Sequence, residues 1–296
     1  MVLIMKKLIT LILILSVLIC SGCANGHDNV DIVATTLPVY EFTAMLCRDT
    51  DLTVERLITE NVSCLHDYTM QVHQMQLIED SDIVVISGLG LEAFLEDALS
   101  AANFVIDASV DVHTHMGGHD HGVHEELVHD HGTDPHIWLS PENATIMAKN
   151  IYDGLCAAYP MHQEIFDQNL SALVQQLMAL QTYGDSCLSN LACRELITFH
   201  DGFSYFAESF DLSILETVEE ESGSEASASE IIRLIKLVND HQLPSIFTET
   251  NGSDACAGII CAETGCSSFT LDMAMAGSSY FDAMYHNINT VKEALG

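Results

Sequence analysis

Basic side chains are scarce in this 296-residue chain, which has 9 Lys and Arg against 43 Asp and Glu and a formal net charge of −34. A chain this acidic cannot neutralise nucleic-acid phosphates, and it cannot adhere electrostatically to an anionic membrane surface, so both classes of partner are excluded. Disorder is excluded as well, because 48% of the residues are hydrophobic, which is too many for a charge-expanded coil. Such a surface attracts cations.

Long apolar runs are also lacking, apart from one near the N-terminus. Lys6 and Lys7 precede the run 8–19, which has the length of a signal-peptide core and is too short to span a bilayer. Two small residues stand directly before Cys23, as in a bacterial lipobox, and predict acylation of Cys23. Simple secretion and a retained anchor are the alternatives. We therefore expect an extracytoplasmic protein that an N-terminal lipid anchors to the bacterial cell membrane.

Paired Cys-x-x-Cys spacings are absent among the eight cysteines that follow Cys23. Their absence favours disulfides or free buried thiols over thiolate metal ligands. Disulfides can form outside the cytoplasm. Plausible local pairs are Cys187 with Cys193 and two of the group Cys256, Cys261 and Cys266, but the sequence does not fix the connectivity.

Short apolar segments alternate with helical patterns in two groups of four. Apolar runs bounded by Gly, Ser, Asp or Pro are typical of strands buried in a parallel sheet. The two groups predict an α/β fold with two small parallel-sheet domains. In the second group, Ser227 and Glu230 form a capping box that predicts a helix over 230–239. The predicted strands are 31–36, 52–58, 82–87 and 103–107, then 195–199, 212–218, 244–250 and 267–271.

A long helix is predicted between the two groups, over 161–181. Pro160 suits its start, and a continuous apolar stripe follows at spacings of four and three residues. Both a core helix of one domain and a rigid connector between domains fit this pattern. The stripe is Phe166, Leu170, Leu173, Leu177 and Leu180. The predicted organisation is a signal peptide (1–22), a lipidated tether (23–30), an N-terminal domain (31–160), a linker helix (161–185) and a C-terminal domain (186–296).

Histidine is concentrated in one tract of the first domain, at 112–133. Interspersed glycines and acids without periodicity predict a loop. Because imidazoles bind Zn²⁺, Cu²⁺ and Ni²⁺, the tract is predicted to hold metal weakly as an auxiliary site. A solvated low-complexity insertion is the alternative. The loop histidines are His113, His115, His119, His121, His124, His129 and His131.

Four further metal-ligating residues stand near the ends of predicted strands or in a specific motif. His66 follows the second strand, His200 the fifth and Asp272 the eighth, while His136 lies in Asp-Pro-His-Ile-Trp-Leu-Ser-Pro. Ligands bind beyond the carboxyl ends of strands in open parallel sheets. If the two halves face each other, the four side chains converge in the cleft. Three imidazoles and one carboxylate make a complete four-coordinate zinc set.

The chain resembles a known family, the cluster A-I (ZnuA-like) zinc- and manganese-binding lipoproteins of bacterial ABC importers. The resemblance implies two α/β domains joined by one long rigid helix, with the metal site in the interdomain cleft. It covers nearly all of the mature chain. The matching segments are the His-rich loop and residues 32–38, 66–68, 134–141, 198–206, 246–249, 270–272 and 285–295.

Carried over from the family, His66, His136 and His200 are the imidazole ligands, and Asp272 is the fourth ligand or a near neighbour. Histidine at 200, where manganese-type members typically carry Glu, implies zinc. The chemistry agrees, since Mn²⁺ prefers oxygen-rich sites. Glu249, like Asp67 and Asp201, is a candidate to orient an imidazole through its other nitrogen, although a solvated carboxylate is an equal alternative.

The expected function is high-affinity capture of Zn²⁺ outside the cytoplasm and its delivery to the transmembrane subunit of an ABC permease. We expect a monomer. We also expect no enzymatic activity, because a closed ligand set favours binding over catalysis. The alternatives are a manganese-binding member of the same family and a metal-binding surface adhesin. A secreted zinc hydrolase is less favoured, because the chain has no His-Glu-x-x-His motif.

Overall fold

The structure is a computed structural model that describes residues 30–62, 65, 68–114, 133–218, 226–250, 252 and 254–296. This part of the chain forms two four-stranded sheets, and every strand pair in them is parallel. The predicted architecture of two parallel-sheet α/β domains is therefore confirmed. Across the described ranges, the helices are too short or too polar to cross a bilayer.

The first sheet has the strand order β2-β1-β3-β4. The central strands β1 and β3 consist only of apolar residues, and all but one of these are buried, as expected for strands covered on both faces. The edge strand β2 carries Glu55 and Arg56 and is more exposed. The elements are β1 (Ile32–Ala34), α1 (Leu37–Leu46), β2 (Val54–Arg56), α2 (Val72–Asp80), β3 (Ile83–Ile86), α3 (Glu96–Leu99), β4 (Val105–Asp107) and α4 (Pro141–Ala158).

The second sheet repeats this arrangement, with the order β6-β5-β7-β8. Its central strand β7 is buried along its whole length, whereas the edge strand β8 is exposed at its start and buried only at Leu271. The elements are β5 (Glu195–Thr198), α6 (Ser204–Ser209), β6 (Ser213–Thr217), α7 (Ala228–His241), β7 (Ser245–Glu249), α8 (Ala255–Thr264), β8 (Ser267–Leu271) and α9 (Tyr280–Leu295).

The predicted strands are all confirmed, although most are longer than the observed ones. Leu57 and Ile58, predicted to end the second strand, still donate backbone hydrogen bonds to Ala34 and Thr35 but fall outside the regular ladder. Helix α7 begins with the predicted capping box, in which the Ser227 hydroxyl accepts from the Glu230 amide and the Glu230 carboxylate accepts from the Ser227 amide.

The long predicted helix is α5 (Gln163–Leu188), which follows a 3₁₀ turn at Pro160–His162. It continues past the predicted end because Gly184 packs directly against the Phe210 ring and Leu188 is buried. Its predicted apolar stripe is buried, apart from the half-buried Leu170. Near its start it contacts the first domain, where Asn169 donates to the Leu46 carbonyl. Further along, Gln181 donates to the Ser209 carbonyl of the second. The helix α5 thus packs against both domains and also connects them.

A segment of the second domain, residues 272–280, crosses to the first and fixes the two domains against each other. Trp138 donates from Nε1 to the Met273 carbonyl at 2.7 Å, and the Tyr280 hydroxyl donates to the Trp138 carbonyl at 2.8 Å. Arg56 donates to the Gly277 carbonyl at 2.8 Å. Because these contacts lie on both sides of the cleft, they set the relative position of the residues that end β8 and those that precede α4.

The same segment is held by a carboxylate of α1. Glu41 accepts hydrogen bonds from the Ser279 hydroxyl at 3.2 Å and from the Tyr280 amide. Partial burial in the junction between the domains raises the pKa of Glu41.

Candidate metal centre

His136 is the most firmly positioned imidazole of the predicted set. It precedes the 3₁₀ turn Ile137–Leu139, and Ser140 then caps α4 by accepting from the Asn143 amide. The ring is buried and lies edge-on to the Trp138 ring, with centroids 5.4 Å apart. The two prolines of the motif and this turn therefore present the imidazole from a rigid backbone.

Asp134 fixes the orientation and the tautomer of that ring. Its Oδ1 accepts the His136 backbone amide at 2.9 Å and lies 2.8 Å from His136 Nδ1. A carboxylate only accepts hydrogen bonds, so Nδ1 carries the proton and Nε2 presents its lone pair. Both side chains are about 5% exposed, and such shielding from water strengthens the pairing.

His200 lies next to His136. It follows the carboxyl end of β5, and the two imidazole centroids are 5.3 Å apart with their planes nearly perpendicular. His200 Nδ1 lies 3.4 Å from Oε2 of Glu249, the buried last residue of β7. The Glu249 carboxylate therefore lies on the Nδ1 side of the His200 ring. Two imidazoles, each backed by a buried carboxylate, meet between the domains.

Gly202 allows the loop after His200 in the second domain to approach the His136 ring in the first domain. A Cβ at this position would lie 3.0 Å from Cγ and Nδ1 of His136 and 2.5 Å from Cε of Met273. The loop after His200 can therefore approach His136 only because residue 202 has no side chain. The contact also places Met273, and hence the end of β8, beside the imidazoles.

Asp272 is held at this edge by its own backbone. Its amide donates to Asn287 Oδ1 at 2.8 Å, and its carbonyl accepts from Asn287 Nδ2 at 2.7 Å. Asn287 lies on α9 and is fully buried. One carboxylate oxygen, Oδ1, accepts from the Ala274 amide. The half-buried carboxylate is therefore fixed in position at the end of β8, where the strand-end argument places it.

A cavity of about 90 Å³ opens beside these residues. Its lining includes Glu249 and Asp272 of the second domain and Asn61 and Val62 of the first domain. The chain thus reaches the cleft just before the segment that carries His66. That residue and Asp67 lie outside the described residues. Within the described ranges, no three His, Cys, Asp or Glu side chains form a metal-sized cluster.

The base of the His-rich loop is anchored close to His136. His113 exchanges two backbone hydrogen bonds with the side chain of Asn143 in the first turn of α4, while its imidazole is exposed. Since Asp134 and His136 stand just before α4, both ends of the loop meet at the same helix start. The predicted signal peptide, Cys23 and six loop histidines lie outside the described residues; these histidines are His115, His119, His121, His124, His129 and His131.

Asp134, which the sequence presents only as part of the motif around His136, is a further candidate for orienting an imidazole besides Asp67, Asp201 and Glu249. The usable signal was the Asp-x-His spacing, since a carboxylate two residues before an imidazole can reach both its amide and its Nδ1.

Nearly the whole described part of the chain is similar to known proteins. Residues 32–294 match the ZnuA family, described as zinc-uptake complex component A, periplasmic. The zinc-binding lipoprotein AdcA of Streptococcus pneumoniae serotype 4 is 30% identical over an alignment that covers 98% of this chain and 61% of that protein. The chain thus spans about three fifths of the length of this curated relative.

Solved structures with the same fold include those of ZnuA and AdcA. A crystal structure of ZnuA superposes with a TM-score of 0.78 at 26% identity, covering 90% of this chain and 100% of that one. Zn(II)-bound AdcA from Streptococcus pneumoniae gives a TM-score of 0.76 at 28% identity, covering 90% and 58% of the two chains. The arrangement of two domains around a long helix is therefore that of known metal-binding proteins.

Proposed function

Because this chain belongs to the ZnuA family of zinc-uptake components, we propose that it captures Zn²⁺ outside the cytoplasm and delivers it to the transmembrane subunit of an ABC permease. The observation that carries the proposal is the pair of facing imidazoles, His136 and His200, each backed by a buried carboxylate between the two domains. Carboxylates that hold imidazoles in this way are the usual outer contacts of protein zinc sites.

The proposed ligands are His66, His136 and His200 through their ring nitrogens and Asp272 through a carboxylate oxygen. Nδ1 of His136 faces Asp134 and Nδ1 of His200 faces Glu249, so Nε2 is the proposed coordinating nitrogen of both. Val62 lines the same cavity as Asp272, which supports the approach of the His66 segment to the same cleft. An imidazole-rich set suits Zn²⁺ better than Mn²⁺.

Binding without catalysis follows from this ligand set. Four protein ligands complete the tetrahedral coordination of Zn²⁺ and leave no position at which a water could be activated. We propose that residues 31–160 and 186–296 are the two lobes, that 161–185 links them, and that 1–22 and lipidated Cys23 place the protein on the outer face of the membrane. The protein would act as a monomer.

The His-rich loop would act as a collector rather than as the main site. Its base is anchored on Asn143, next to the helix start that follows His136, so ions that the loop holds weakly are near the cleft. The net charge of −34 would raise the local concentration of cations in the same way.

Competitive titration of the metal-free full chain with Zn²⁺ and Mn²⁺ tests the proposal. We expect one tight zinc site per chain and clearly weaker binding of Mn²⁺. Deletion of residues 112–133 should keep the tight site and remove only additional weak sites, because the loop contributes none of the four ligands. Loss of the tight site in the deletion variant would place the function in the loop, and tighter binding of Mn²⁺ would favour the manganese alternative.

Asp134→Ala is expected to weaken zinc binding about 10- to 100-fold, because loss of an outer partner frees the ring and its tautomer. Asp134→Asn keeps an acceptor for Nδ1–H and should lose less. Glu164→Gln, an exposed carboxylate in the first turn of α5, is the matched control and should bind zinc as the wild type does. Equal affinities of the wild type and Asp134→Ala would contradict the proposed role.

A further inference from the structure

Two cysteines meet at the turn between α8 and β8. Cys261 lies in the last turns of α8, and Cys266 stands directly before β8. Gly265, with a φ of 80°, ends the helix in the left-handed conformation that favours glycine and turns the chain back. As a result the two sulfur atoms are 3.5 Å apart.

This pair combines partial access with a close approach of its two sulfur atoms. Cys156, Cys187 and Cys193 are half-buried as well. Cys47 and Cys256 are buried, which shields them from an oxidant. Cys261 and Cys266 are both half-buried, and each has the other as its sulfur neighbour. A separation of 3.5 Å needs only a small rotation of the side chains to reach the bond length of about 2 Å.

We propose that Cys261 and Cys266 form an intramolecular disulfide that closes the turn between α8 and β8 in the mature protein. The proposed disulfide rests on the proposed function in one respect, the location of the protein outside the cytoplasm, where disulfides persist. The sequence leaves open which two of Cys256, Cys261 and Cys266 are paired, and the distance between the sulfur atoms selects Cys261 and Cys266.

The chemistry requires an external disulfide as the oxidant, such as glutathione disulfide or an exchange protein. Burial and the neighbouring Cys266 raise the pKa of Cys261 to about 12, so Cys261 keeps its proton at neutral pH. The first attack on the external disulfide is therefore assigned to Cys266, and it forms a mixed disulfide and releases one thiol. Cys261 next loses its proton, attacks Cys266 and releases the second thiol. Two protein thiols are oxidised, and one external disulfide is reduced.

The bond would stabilise the second domain without touching the metal site. β8 pairs with β7 along all five of its residues, and its far end leads to Asp272. Five residues of strand separate the turn from that end by about 16 Å. We therefore expect oxidation to raise the Tm by about 5 °C and to leave zinc affinity unchanged.

Cleavage with a Glu-specific protease tests the pairing directly, because Glu263 lies between the two cysteines. The full chain is treated with glutathione disulfide, free thiols are alkylated, and the digest is analysed by mass spectrometry without reduction. The fragments 250–263 and 264–293 should remain linked in the wild type and in Cys256→Ser, and should separate in Cys261→Ser. The Cys256→Ser control is needed because Cys256 shares a fragment with Cys261.

Separate fragments in the wild type, or a link that survives in Cys261→Ser and disappears in Cys256→Ser, would overturn the proposal. A second measurement compares the Tm of oxidised and reduced protein. The wild type should lose about 5 °C on reduction, whereas the double variant Cys261→Ser/Cys266→Ser should not respond. Zinc titration of the same samples distinguishes failure of the proposed zinc site from failure of the proposed disulfide, because it measures binding in the cleft and not pairing in the turn.

Discussion

His200→Ala is expected to remove the tight zinc site, with a loss of affinity of about 100-fold or more. Even the loss of an outer partner of a metal ligand costs about 10- to 100-fold, so removal of a proposed ligand should cost at least the upper value. The variant also removes the imidazole whose Nδ1 lies 3.4 Å from the buried Glu249 carboxylate. Competitive titration against a chelator of known affinity measures the change.

The matched control lies at the opposite end of the same strand. His241 Nδ1 pairs at 3.0 Å with Glu195, the first residue of β5, whereas His200 follows the last. His241→Ala therefore removes an imidazole with a carboxylate partner but should bind zinc as the wild type does. If His200→Ala kept one tight site of unchanged affinity, the proposed ligand set would be wrong.

The elements of the fold were predictable because each depends on local sequence. Apolar runs identify β1 and β3 because strands covered on both faces need continuous apolar side chains. The capping box of Ser227 and Glu230 marks the start of α7 by the same kind of local signal.

The site was predictable only in part, because its supporting contacts join distant residues. The ends of two predicted strands place His200 and Asp272 at one edge of the second sheet, and the Asp-Pro-His-Ile-Trp-Leu-Ser-Pro motif identifies His136. The hydrogen bonds between Asp272 and Asn287, 15 residues away on α9, have no signal in the sequence. The cysteine pair shows the same limit, since spacing alone cannot say which of three sulfurs lies beside which.

The contact of Trp138 with the 272–280 segment explains how a motif in one domain controls the site in the other. Trp138 has no exposed surface, and its indole N–H is bonded to the carbonyl of Met273, the residue after Asp272. The same segment contacts Gly202 through Met273, and Gly202 contacts His136. Trp138 therefore stabilises the fold and also holds the end of β8 against the imidazoles.

Trp138→Ala is expected to lower the free energy of unfolding by about 3–5 kcal/mol, the usual cost of removing a buried aromatic side chain. Trp138→Phe keeps most of the volume but leaves the Met273 carbonyl without its donor, and should cost about 1–3 kcal/mol. Denaturant unfolding followed by circular dichroism measures both, because Trp138 is the only tryptophan and its removal abolishes the fluorescence signal.

Zinc affinity separates the positioning role of Trp138 from simple packing. Leu173→Ala empties a fully buried position on α5 and should cost about 2–5 kcal/mol without moving the 272–280 segment. Under conditions where each variant is folded, Trp138→Phe should bind zinc more weakly than Leu173→Ala, although it is the more stable of the two. Weaker zinc binding by Leu173→Ala than by Trp138→Phe would mean that affinity follows global stability, and that the indole hydrogen bond does not position the end of β8.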